Sequence, residues 1–305
     1  MKLNLPEKIS LIEVGPRDGF QFEKKIIPTN LKLEIISGLV DAGLKDIQVT
    51  SFVHPDVVPQ MADAENLIQH LPKNKDVRYC GLVLNEKGVE RANLSGLQQI
   101  EISISASDTH SRKNAGMPLE KAQEIGKQMI RLAQEYNMEI RAGIQCAFGC
   151  VYEGKISKQR VLKIASDFLK MGIETLAVSD TTGMANPFLI KNLIKKLILE
   201  VGNTPLVLHL HDTRGLGLVN VMTAMECGVT HFDTSLAGMG GCPFVSGAAG
   251  NIATEDTAWL MKSLEIDTGV NISKVATCSQ KLEAFFKKKF PGKTHRLINK
   301  KQHIS

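Results

Sequence analysis

His209-Leu210-His211-Asp212 places two histidines two residues apart at the end of the apolar run Thr204-Pro205-Leu206-Val207-Leu208. In an extended chain, alternate side chains share one face. Two imidazoles side by side at a strand end are a ready pair of metal ligands. Rings satisfied by local hydrogen bonds are the plain alternative, and the pair alone fits both. Two further polar clusters change that balance: Gly15-Pro16-Arg17-Asp18-Gly19, and Gly240-Gly241-Cys242-Pro243 followed by Gly250-Asn251. Asp18, His209, His211 and Asn251 make a mixed oxygen and nitrogen ligand set. A carboxylate, two neutral imidazoles and an amide carbonyl, completed by water or substrate, suit an octahedral divalent ion. Magnesium or manganese fits such a set better than a closed structural zinc. Asp18 as a turn residue and Asn251 as a helix N-cap are the competing roles.

Arg17 offers two parallel donors to an oxyanion, and a rim salt bridge to Glu13 or Asp180 is its alternative. Near a metal it would stabilise an enolate or a carboxylate far better than in water. Cys242 lies among glycines, with Pro243 stiffening one side, so it reads as a proton donor or acceptor in a mobile lid. A small buried hydrophobe is the ordinary role of a lone cysteine.

The elements that must position these groups are legible as a rhythm. Strand candidates fall at Ser10–Val14, Asp46–Thr50, Val77–Leu84, Gln99–Ser105, Glu139–Cys146, Thr175–Val178, Leu206–Leu210 and His231–Thr234. Helical patterns lie between them, among them Leu31–Ala42, Leu119–Tyr136, Lys158–Met171 and Pro187–Val201. Gly43, Gly172, Gly202 and Gly228 each follow a helical segment, where positive φ is wanted. About eight βα units predict a (β/α)₈ TIM barrel with a short extra helical C-terminal region. A doubly wound open sheet would need fewer strands and a glycine-rich phosphate turn after the first. A single barrel domain over 1–305 is expected, with a C-terminal helix and basic tail over 270–305. Barrel chemistry sits at the C-terminal ends of strands. The polar clusters all fall there: Arg17 and Asp18, Gln48 with Thr50 and Ser51, Asn85, Ser105 and Ser107, Gln145, Asp180 and Thr181, the histidines, and the Gly238–Cys242 loop.

Composition narrows the classes. The chain has 305 residues, 43% hydrophobic and 23% charged, enough for a large core. Aromatic residues are 5%, too few for base-stacking platforms. The formal net charge is +5, but residues 287–305 hold seven cations and no acid. Removing them leaves about −2, so the body is no nucleic-acid binder. Six scattered cysteines form no zinc or disulfide framework and point to reduced thiols and a cytoplasmic location. The first strand begins near Ile9, which leaves no room for a cleaved presequence, and no apolar run is long enough to span a membrane.

Several motifs together resemble the 3-hydroxy-3-methylglutaryl-CoA lyases. They are Val14-Gly15-Pro16-Arg17-Asp18-Gly19-Phe20-Gln21, Thr50-Ser51-Phe52-Val53 with Val58-Pro59-Gln60-Met61, and Cys146 through Gly149-Cys150 to Tyr152-Glu153-Gly154-Lys155-Ile156-Ser157. His209 through Thr213, Ser235 through Phe244, and Gly250 through Asp256 complete the set. The likeness covers roughly residues 9–275. It implies a (β/α)₈ barrel and a retro-Claisen cleavage of a 3-hydroxyacyl-CoA to acetyl-CoA and a keto acid. It also implies a divalent metal held by Asp18, His209, His211 and Asn251. Arg17 would meet the thioester oxygen, Asp18 would also handle the hydroxyl proton, Cys242 would protonate the enolate, and Glu255 would support the loop. A homodimer follows only from family habit. Gln21, Gln48 and Asp180 are carried as substrate contacts.

One departure matters. Gln48 stands where the family usually carries glutamate, and an amide can hydrogen bond but cannot act as a base. Arg214 and Leu216 replace residues commonly Tyr and Gln. A related substrate such as citramalyl-CoA, a Claisen-type synthase and a non-catalytic CoA- or metal-binding barrel are the other readings. The short stretch after the barrel and the Gly-Gly-Cys-Pro lid favour the lyase over a synthase. For the CoA portion, Asn85, Lys87, Ser107, Arg112, Lys113 and Asn114 lie on the rim after the third and fourth strands.

Overall fold

The computed structural model describes residues 5–241 and 249–298. Eight parallel strands close into one barrel in sequence order. They are β1 (Ser10–Glu13), β2 (Asp46–Ser51), β3 (Arg78–Val83), β4 (Gln99–Ser105), β5 (Glu139–Gln145), β6 (Thr175–Ser179), β7 (Leu206–His209) and β8 (His231–Thr234). The helices between them are α1 (Thr29–Asp41), α2 (Ala64–Gln69), α3 (Glu86–Leu94), α4 (Asp108–Ala115), α5 (Leu119–Glu135), α6 (Lys158–Lys170), α7 (Pro187–Glu200) and α8 (Gly217–Glu226). After β8 come α9 (Thr254–Ser263), α10 (Ile272–Phe286) and α11 (Thr294–Leu297).

Local chemistry sets these limits. Asn85, Ser107, Asn186 and Asn271 cap α3, α4, α7 and α10, each side chain accepting a first-turn N–H. α5 buries Leu119, Ala122, Gly126, Met129, Ile130 and Ala133, the three- and four-residue spacing of one helix face. The main core lies between the strands and this helical shell. A separate small cluster, Ile12, Val14, Ala177 and Val207, fills part of the barrel interior. The rest of that interior is polar: Gln48, Glu101, Arg141 and Asp233 are all buried mid-barrel. α10 packs on α1 and α9, so the C-terminal helices close over the first and last units of the barrel. Among the described residues, no helix is long and apolar enough to cross a membrane.

Two expectations need adjustment. The expected seventh strand ran to Leu210, but β7 ends at His209. His211 lies just beyond it and pairs as an isolated antiparallel bridge with Asn251. Residues 299–305 of the basic tail and residues 242–248 of the loop, Cys242 included, lie outside the described residues.

Candidate active site

Four separate segments converge at the C-terminal mouth of the barrel. After β1 the chain turns through a buried five-residue π-helical loop, Gly15–Gly19, with Pro16 at its start. The Asp18 N–H donates to the Val14 carbonyl at 2.7 Å, which fixes the turn and points Asp18 inward. His209 arrives on β7. His211 follows it, held by the ladder in which the Asp212 N–H donates to Gly250 O (2.8 Å) and the Ile252 N–H to Leu210 O (3.2 Å). That same ladder brings Asn251 to the site, where its Nδ2 donates to Asp18 Oδ2 at 2.7 Å and to Met239 O at 3.0 Å. Gly240 makes the close approach possible. It sits at φ +119°, and a Cβ there would lie 2.5 Å from Asn251 Nδ2.

Ligand atoms of Asp18, His209 and His211 all lie within 4.8 Å of one another. The two Nε2 atoms face each other at 3.1 Å. Asp233 accepts from His209 Nδ1 at 3.0 Å, which directs the Nε2 lone pair of the neutral ring into the site. Two imidazole lone pairs cannot face each other bare, so a proton or a cation must stand between them. At about 2.1 Å per metal–nitrogen bond, adjacent octahedral ligands stand about 3 Å apart, which agrees with the observed gap. The donor set therefore fits a divalent cation.

Electrostatics agree. Burial opposes ionisation of Asp18, but the charges of Arg17 and His209 and the Asn251 hydrogen bond outweigh it and hold the carboxyl below its ordinary range. Burial would discharge His209, but the hydrogen bond and charge of Asp233 prevail and raise its proton affinity. Burial and the His209 charge push His211 down to about 3, so its ring is neutral and free to coordinate. Burial works against Asp233 as a carboxylate, yet Arg141 and His209 bring its pKa to about 2.

These groups open on a cavity of about 320 Å³, the size of a small acyl group. Its wall includes Arg17, Asp18, Gln21, Asn114, His209 and His211. Gln21 Nε2 also donates to Asp18 Oδ1 at 3.2 Å. Other expected contacts are not brought to it. Gln48 is buried behind Arg17, both ends of its amide already engaged. Asn85 spends its side chain capping α3, with Lys87 exposed on the same helix. Ser107 caps α4 and donates to Glu153 at 2.7 Å. Asp180 is buried, its Oδ1 accepting from the Ala185 N–H at 2.9 Å, and burial raises its pKa to about 7. Glu255 accepts the Ala237 N–H at 3.0 Å and a hydrogen bond from Ser279 Oγ, so it anchors the start of the 238–242 loop.

The HMGL-like family pattern matches residues 8–282. The chain belongs to that family, the HMGL-like proteins. A mitochondrial hydroxymethylglutaryl-CoA lyase of Mus musculus is 40% identical over 271 residues, 89% of this chain and 83% of that protein. The crystal structure of the Bacillus subtilis HMG-CoA lyase superposes with a TM-score of 0.93 at 36% identity, covering 96% of this chain and 98% of that one. An HMG-CoA lyase from Acinetobacter baumannii, solved with coenzyme A and 3-methylmalate, gives 0.92 at 34% identity over 98% of both chains. This HMGL-like protein is an enzyme, a carbon–carbon lyase on a TIM barrel.

Glu101, Arg141 and Asp233, which carry the support under His209 and Arg17, were missed by reasoning from strand ends. Each was visible as a charged residue in the interior of a strand whose neighbouring positions are buried.

Proposed function

We propose that this enzyme cleaves 3-hydroxy-3-methylglutaryl-CoA to acetyl-CoA and acetoacetate. The observation that carries the reading is the convergence of Asp18, His209 and His211 beside Arg17 at the mouth of an acyl-sized cavity. Asp18, His209, His211 and Asn251 would hold a divalent cation, magnesium or manganese. When bound, that ion acidifies an alcohol and anchors its oxygen. Asp18, ionised and hydrogen-bonded, is the acceptor for the substrate hydroxyl proton. As the carbonyl forms at C3, the C2–C3 bond breaks and its electron pair passes into the thioester enolate. Arg17 meets the thioester oxygen where that charge develops. Cys242 delivers a proton to the enolate carbon, giving acetyl-CoA. Burial keeps bulk water from the site, and the CoA portion leaves the cavity on the strand-four side, past Asn114 in its wall. The bacterial relative from Bacillus subtilis and the free described cysteines support a cytoplasmic enzyme.

A polar wall favours a second substrate. Ser103, Gln145, Ser179 and Thr181 also line the cavity, and the Gln145 and Ser179 side chains make no hydrogen bond among the described residues. They suit a carboxylate held close to C3, as in citramalyl-CoA, which keeps the hydroxyl, methyl and carboxylate of the first substrate with one methylene fewer. Acetyl-CoA release from a panel of 3-hydroxyacyl-CoA thioesters, with manganese or magnesium supplied, separates the two. No release from any of them would overturn the lyase assignment.

A further inference from the structure

A continuous line of buried groups joins Arg17 to His209 through the barrel interior. Arg17 Nε donates to Gln48 Oε1. Gln48 Nε2 donates to Glu101 Oε2 at 2.6 Å, across β3, where the small Cys80 stands in register with Gln48. Glu101 Oε2 pairs with Arg141 Nε at 3.0 Å, and Arg141 Nη2 pairs with Asp233 Oδ2. Asp233 in turn holds His209 Nδ1. Glu101 is further fixed by Ser103 Oγ, which donates to its Oε1 at 2.6 Å. Gly143 keeps that corner open, since a Cβ there would lie 2.0 Å from Ser103 Oγ.

An amide between two partners can point either way round. Arg17 only donates, and an ionised carboxylate only accepts, so a single orientation satisfies both ends of Gln48. Glu101 is what enforces it. Without that carboxylate, the Gln48 amide is free to turn its NH₂ toward the guanidinium and leave the Arg17 Nε–H without an acceptor. We infer that Glu101, acting through Gln48, is a positioning residue for Arg17: the negative charge that orients the guanidinium sits on β4, one link removed, because residue 48 is an amide. This rests on the lyase reading for its kinetic consequence and on geometry alone for its spectroscopic one.

The test uses the full-length protein with saturating magnesium and three variants: Glu101→Met, Gln48→Glu, and the two together. Glu101→Met removes both the charge and the acceptor that Gln48 Nε2 needs, whereas a glutamine at 101 could keep a carbonyl oxygen in that place. Gln48→Glu sets two carboxylates against each other. The double variant moves the charge beside Arg17, with a thioether in place of the opposing carboxylate. Each single change is expected to lower kcat on 3-hydroxy-3-methylglutaryl-CoA about 100-fold, the loss seen when one oxyanion donor is misplaced, with KM shifting less than about threefold. The double variant should return to within about tenfold of the parent. A Glu101→Met kcat within threefold of the parent, or a double variant no better than the singles, overturns the proposal. The Arg17 Nε–H signal, assigned by its loss in Arg17→Lys, gives an independent readout by ¹⁵N NMR. It should be protected from exchange in the parent and the double variant and unprotected in Glu101→Met. Persistent protection in Glu101→Met overturns the positioning role even in a protein that releases no acetyl-CoA, a result that would count against the lyase reading instead.

Discussion

Asp233→Asn isolates what supports His209. In the parent, one oxygen, Asp233 Oδ2, accepts from both Arg141 and His209, while Oδ1 has no hydrogen-bond partner. An asparagine can therefore place its carbonyl at Oδ2 and keep both contacts. Its NH₂ then occupies the unpartnered position, and the negative charge is gone. Arg141 is fully buried and would be left with Glu101 as its one carboxylate partner. Removing one partner of a buried pair costs about 3–5 kcal/mol. At about 2 °C per kcal/mol for a chain of this size, Tm should fall by roughly 6–10 °C. The imidazole also loses the carboxylate that makes it a better ligand, and such supporting groups typically govern metal affinity by about 10–100-fold. Calorimetric titration of chelator-stripped protein with manganese reads the second quantity, and scanning calorimetry of the metal-free protein reads the first. Unchanged manganese affinity in a variant whose Tm has fallen would refute the claim that Asp233 tunes His209. Unchanged Tm would refute the claim that Arg141 depends on it.

Three further outcomes follow from the same geometry. His211→Ala should lose essentially all metal-dependent turnover with its circular dichroism unchanged; activity within tenfold of the parent would remove His211 from the ligand set. Protein treated with a chelator should be inactive and should recover with added magnesium or manganese, and full rate in chelator would reject the mechanism. Burial raises Glu13 to about 8, so the folded protein holds this proton while the unfolded chain loses it near the ordinary glutamate value of 4.5. Stability from this group is complete below about pH 4.5 and drains away toward pH 8, by up to ~1.4 kcal/mol per unit. Glu13→Gln, which keeps a carbonyl oxygen for the Gly15 and Leu236 N–H donors and cannot ionise, should gain stability relative to the parent as pH rises across that window. A difference in Tm that stays constant from pH 5 to 8 would show that Glu13 is ionised throughout.

The barrel was legible because burial imposes a pattern. Strands covered on both faces appear as short apolar runs, and helices that cover them carry one apolar stripe, so Gln99–Ser105 and His231–Thr234 were bounded correctly from residue types alone. Gly43, Gly172, Gly202 and Gly228 all take positive φ, as their positions after helices require. The Asp18 and His209–His211 cluster was legible because fold and chemistry agree on where polar residues belong. Pairings distant in sequence were not. Nothing local states that residues 210–212 leave the sheet to run beside 250–252, so the strand was expected to run to Leu210, with His211 at its end. Gln48 was expected to touch substrate because it lies near a strand end; a register shift between Gln48 and Thr50 and the reach of Glu101 across β3 draw it inward instead. Asn85 and Ser107 follow strands as barrel ligands do, but a helix start three residues away claims their side chains first.

The bridge between His211 and Asn251 also bears on when the site comes into being. Asp18 emerges among the first residues synthesised and Asn251 among the last fifth, and the seam they straddle is where β1 meets β8. A nascent chain that has folded its first six βα units holds only Asp18 of the four residues proposed for a cation site. On the proposed ligand set a cation could be held only once the ring is closed, and it would then tie the first unit of the barrel to the last.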